Sequence, residues 1–69
     1  MFAKLTTKIF GTEFDLTFHG YDEEGYFNAE SVEYIKNNLS EKQIELVEEW
    51  IWNNIEFLED QINSKKFEY

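Results

Sequence analysis

Fifteen carboxylates and a single imidazole, His19, are the groups of this 69-residue chain that could serve as acids, bases or cation ligands. Acid–base catalysis by paired carboxylates needs a concave, partly dry site that drives their pKa values apart. The densest acids, Glu41, Glu45, Glu48, Glu49, Glu56, Glu59 and Asp60, fall instead on the outer side of a helical pattern, where they are wet and equivalent. His19 shares a strand face with Asp15, but four strand residues span about 13 Å, too far for an orienting hydrogen bond. It reads as a surface histidine at the end of a hairpin. There is no Cys, and the glycines stand apart at 11, 20 and 25. Disulfides, a Cys/His zinc site and a phosphate-cradling loop are therefore not expected. The sequence predicts a non-enzyme without a metal or cofactor.

One cation-binding pattern does occur. The stretch Asp22-Glu23-Glu24-Gly25-Tyr26-Phe27-Asn28-Ala29-Glu30 is similar to the second half of an EF-hand loop and its exit helix. Aligning Gly25 on the loop glycine puts Asp22, Glu24 and Asn28 at ligand positions and Phe27 at the buried apolar one. Gly20 and Ser31 then occupy the first and twelfth ligand positions, and a strand precedes the loop where a helix belongs. An acidic turn capping a helix is the plainer account.

Charge narrows the partners. Six Lys and no Arg oppose the fifteen acids, for a net charge of −9. Between Glu13 and Asp60 only Lys36 and Lys42 face fourteen carboxylates. Nucleic acid and anionic membrane both require a basic footprint, so neither is an expected direct partner. The Met-Phe-Ala-Lys start lacks the apolar run of a secretory signal, and a cytoplasmic protein is expected.

Residues 1–69 make one α+β domain: an N-terminal β-hairpin, then two helices, the second long and amphipathic. Runs 2–10 and 13–19 are joined by Gly11-Thr12, a Gly-X pair suited to a type II′ turn. That turn sets Ile9 opposite Phe14, Thr7 opposite Leu16 and Leu5 opposite Phe18 on one apolar face. Lys8 then faces Asp15, Thr6 faces Thr17 and Lys4 faces His19 on the other. Tyr26 and Phe27 either add a short third strand or plug the core. Asn28 is the expected N-cap of a first helix over 29–38, with Val32, Ile35 and Leu39 as its apolar line. Ser40 and Gln43 fit a capping box, with Leu39 and Ile44 as a hydrophobic staple. The second helix is expected over 41–64, about 36 Å long, with Lys65 and Lys66 beyond its end. Ile44, Val47, Ile51, Ile55, Leu58 and Ile62 form its core stripe, with the hairpin packed on it.

Two functions fit this surface. In the first, Glu45, Glu48, Glu49, Trp52, Glu56, Glu59 and Asp60 form a contact face, with Glu23 and Glu24 as supplements. Acids on successive turns lie about 5–6 Å apart, and a row of them could enter a basic groove meant for nucleic acid. Trp52 is either an anchor ringed by carboxylates or a cover over Phe27, Tyr34 or the first strand. In size, acidity and lack of a catalytic set, the chain resembles the small acidic inhibitors made by phages, such as DNA mimics and anti-CRISPR proteins. The resemblance implies an inhibitor or decoy that blocks the basic groove of a nucleic-acid-handling protein in a host cell. In the second, Leu46, Trp50 and Phe57 form the seam of a homodimerising interaction or regulatory module, and the acids only keep it soluble.

Overall fold

A computed structural model describes residues 1–66 of the chain, Lys66 by its backbone alone. Three antiparallel strands, β1 (Phe2–Ile9), β2 (Thr12–Glu23) and β3 (Tyr26–Glu33), form one sheet in the order β1-β2-β3. Two helices follow, α1 (Glu41–Asn53) and α2 (Ile55–Lys66). The α+β class and the N-terminal hairpin are as expected, and of the two alternatives for Tyr26 and Phe27 the third strand is the one present, longer than the short strand expected.

Both hairpins turn by the same device. Phe10 and Gly11 have φ of +52° and +81°, and Glu24 and Gly25 repeat this at +54° and +82°. Two successive positive φ values are the signature of a type I′ turn, whose twist suits the flanking strands. In each, glycine takes the second position at no steric cost. The first turn is therefore Phe10-Gly11 and not Gly11-Thr12, which slides the β1–β2 register by two residues. Ile9 pairs with Thr12, Thr7 with Phe14, Leu5 with Leu16 and Ala3 with Phe18. A two-residue slip leaves every side chain on its expected face. On the outer face Lys8 meets Glu13, and the Thr6 hydroxyl donates to Asp15 at 2.7 Å.

Residues 29–38 do not form the expected first helix. Strand β3 runs to Glu33 and pairs with β2, shifting register opposite His19 and Gly20. That bulge leaves Glu30 outside the pairing, so the apolar positions Phe27, Ala29 and Val32 depart from period two and imitate helical spacing. A Cβ at Gly20 would collide with the Asn28 carbonyl, so only glycine fits there. Asn28 caps nothing; its amide donates to Tyr26 O within the strand.

The expected long helix is two helices. Ser40 starts α1 with the full capping box: its hydroxyl accepts from Gln43 N, and Gln43 Oε1 accepts from Ser40 N. The ladder then breaks at Asn54. The N–H of Asn54 bonds back to Trp50 O and Ile51 O, and its amide adds a third bond to Trp50 O at 2.8 Å. Asn54 O in turn accepts from Leu58 N–H at the start of α2. Despite the break, Val47, Ile51, Leu58 and Ile62 of the expected stripe all enter the core. They meet Leu5, Ile9, Phe14, Leu16, Phe18 and Phe27 from the inner face of the sheet. No helix among the described residues is long and apolar enough to cross a membrane.

Candidate partner-binding face

The acids of the expected contact face divide between the fold and the solvent. On α2, Glu59 accepts the Ala29 N–H at 2.7 Å and Asp60 accepts the Tyr26 hydroxyl at 2.6 Å. Asn63, one turn beyond Glu59, is buried and clasps Phe27 through two bonds, accepting from its N–H and donating to its carbonyl. Its amide also donates to Glu59 O. Phe27 and Ala29 lie on the outer strand of the sheet, so α2 covers the β3 edge with side chains that imitate a fourth strand. An uncovered edge invites pairing with another chain, and this is one way to blunt it.

On α1, Glu48 is half-buried and accepts the Tyr34 hydroxyl at 3.1 Å. Lys36 lies 3.8 Å from the same carboxylate and 4.9 Å from the Tyr34 ring centre. Both phenols are perturbed. The bond to Asp60, aided by partial burial and the charges of Asp60, Glu59 and Glu56, pushes Tyr26 up to about 12. Burial, then the bond to Glu48, pushes Tyr34 up to about 12.

Glu45, Glu49 and Glu56 are exposed and have no side-chain partner among the described residues, as is Glu41 one turn before Glu45. On a helix of about 100° per residue, Glu41, Glu45, Glu49 and Trp52 lie within one narrow arc. Trp52 is 37 % exposed and Phe57 56 %. The break at Asn54 places them together along one shallow cleft, lined by residues 52–57 with Glu56 among them. Trp52 thus keeps an open side, and Tyr34 pairs edge-on with Phe14 instead. Glu23 and Glu24 are exposed at the second hairpin turn, beside the Tyr26–Asp60 bond.

The expected dimer seam is divided. Trp50 packs against the core, whereas Leu46 is 42 % exposed and belongs to a different concavity. That groove is formed by Ile9, Phe10, Thr12, Phe14, Leu39, Gln43, Leu46 and Val47. Phe10 and Ile35, both exposed, flank it and the adjoining hollow.

The remaining sequence candidates fall apart. The 22–30 segment is a hairpin with no exit helix, and no group of three metal-binding side chains occurs among the described residues. His19 sits in the middle strand, its Nε2 shielded and 3.4 Å from Glu33 Oε1, with the Phe2 ring beside it. Sequence reasoning missed Asn63 and the junction at Asn54. The only signals were an amide bordering the Leu58/Ile62 stripe and the polar pair Asn53-Asn54 inside an otherwise regular pattern. No family model, curated protein or solved structure matches the chain.

Proposed function

We propose that this chain is a small, cytoplasmic, non-enzymatic inhibitor or decoy that binds a nucleic-acid-handling protein and blocks its basic groove. The observation that supports it is the set Glu45, Glu49 and Glu56, exposed and without a side-chain partner among the described residues, with the half-open Trp52 on the same side of α1 as the first two. An apolar anchor inside a charged rim suits a protein interface, and net charge of −9 would steer it toward a basic one. Glu48, Glu59 and Asp60 are shared with the fold and contribute less. Because the helix is broken, the face is a compact acid-and-aromatic patch on α1 and the junction. It is not a straight rod of phosphate-spaced charge.

The test uses the chain immobilised beside a Glu45→Gln/Glu49→Gln/Glu56→Gln variant, each offered the heparin-binding fraction of a candidate host extract. The proposal expects a protein retained by the natural chain, lost from the variant, and displaced both by duplex DNA and by 0.5 M salt. Equal retention on the two chains, or indifference to DNA and salt, would defeat it.

The second reading, a self-associating module, rests on the groove beside Leu46 and Phe10. A dimer in sedimentation that persists at high salt and is lost in Leu46→Ser would favour it.

A further inference from the structure

We infer that the cleft at the helix junction receives an arginine side chain of a basic protein partner, with the guanidinium stacked on Trp52. The inference rests on the inhibitor reading above and names the group that its anchor recognises.

Four features of negative character converge there. Trp52 and Asn53, in the last turn of α1, line the cleft. They belong to the C-terminal end of α1, where the helix dipole favours a cation, yet the last turn of α1 contains no basic residue. Glu56, in the first turn of α2, lines the cleft and offsets the free N–H groups of that turn. Glu49 stands three residues before Trp52, which puts it one turn away on the same side. The π faces of Trp52 and Phe57 supply the fourth feature.

The chain cannot fill this cleft from its nearby cations. It contains no Arg. Lys36 is held by Glu48 and the Tyr34 ring. Lys42 lies ten residues before Trp52 on the same helix, about 15 Å away. The Lys36–Tyr34–Glu48 cluster shows the chain joining a cation, a ring and a carboxylate internally; the junction has the ring and the carboxylate, and no cation lines it among the described residues. Arginine fits better than lysine for two reasons. Its planar, weakly hydrated guanidinium stacks on an indole, and its rigid fork of donors matches a carboxylate beside the ring.

The test is an NMR titration of the full chain with three blocked tripeptides, acetyl-Gly-X-Gly-amide, where X is arginine, lysine or citrulline. The two indole N–H signals, Trp50 and Trp52, serve as internal control and reporter. The arginine peptide should move Trp52 saturably and leave Trp50 still, bind about fivefold tighter than the lysine peptide, and weaken with added salt. Citrulline, which keeps the shape without the charge, should have no effect. Trp52→Phe should weaken the arginine peptide severalfold as followed at the Phe57 and Glu56 amides, and Glu56→Gln should do the same at the indole. Equal effects of arginine and citrulline, or unchanged affinity in both variants, overturns the inference. If the arginine peptide fails while the triple glutamine variant still loses its basic partner, the cleft assignment falls and the acidic-face reading stands. If the peptide binds and no basic partner is retained, the cleft stands alone.

Discussion

Helix α1 turns Glu41, Glu45 and Glu49 to solvent with no side-chain partner among the described residues, whereas α2 turns Glu59, Asp60 and Asn63 onto strand β3. The two helices carry similar acids in similar density. What separates them is position against the sheet. Strand β3 leaves main-chain N–H groups facing α2, and buried donors must be satisfied, so carboxylates and an amide there become structural. Glu41, Glu45 and Glu49 of α1 have no such donor bonded to them among the described residues, and at four-residue spacing they repel one another. A residue's type says what bonds it can make, and only its neighbours decide whether it must make them.

Four experiments would break or sharpen this contrast. The largest effect is expected from Asn63→Ala, which leaves the Phe27 N–H and carbonyl without partners at a buried edge. A loss of about 2–3 kcal/mol should appear in urea unfolding; a loss near zero would mean α2 does not hold the edge. Next is Glu59→Ala, which removes a charge-assisted bond to Ala29 N–H at a half-buried site and should cost about 1–2 kcal/mol.

Alkali should act through the same contacts. Tyr26 and Tyr34 hold their protons to about pH 12 in the folded chain, against about 10 for an unperturbed tyrosine. In that window the unfolded chain has released protons that the folded chain still binds, so stability is level below pH 10 and falls between 10 and 12. Urea midpoints at pH 8, 10 and 11 should show the decline, and Tyr26→Phe should flatten it. The smallest effect belongs to Glu49→Gln. It should lie within about 0.5 kcal/mol of the natural chain, with a gain of a few tenths from relieving Glu45. A substantial loss would place Glu49 among the structural acids and end the contrast.

Much of this architecture could be read in advance, and the failures have definite causes. Alternation along 2–10 and 13–19 gave the sheet faces correctly because a register error of two preserves parity. The turn itself was misplaced because Phe10 is an unfavourable residue at positive φ, while the neighbouring Gly11-Thr12 offered a more ordinary solution. The third strand looked helical because its bulge shifted Val32 by one position. Ser40 and Gln43 located the start of α1, since a capping box is a local device that needs no tertiary partner. The break at Asn54 had no comparable mark: neither Pro nor Gly occurs there, and the Asn amide supplies its own bond to Trp50 O. Of the contact face, exposure of Glu45, Glu49, Trp52 and Glu56 followed from the helical wheel. The engagement of Glu48, Glu59 and Asp60 did not, because it depends on Tyr34, Ala29 and Tyr26, which are distant in sequence.

The clasp of Asn63 on Phe27 has a consequence for the life of the chain outside its folded state. A nick near the Asn54 junction would release α2 and leave β3 bare along a flank that has no lysine or proline to repel newcomers. Such a remnant would be prone to stack into fibrils or precipitate, whatever its charge. The segment after Asn54 is therefore the part whose loss should make the remaining polypeptide aggregate.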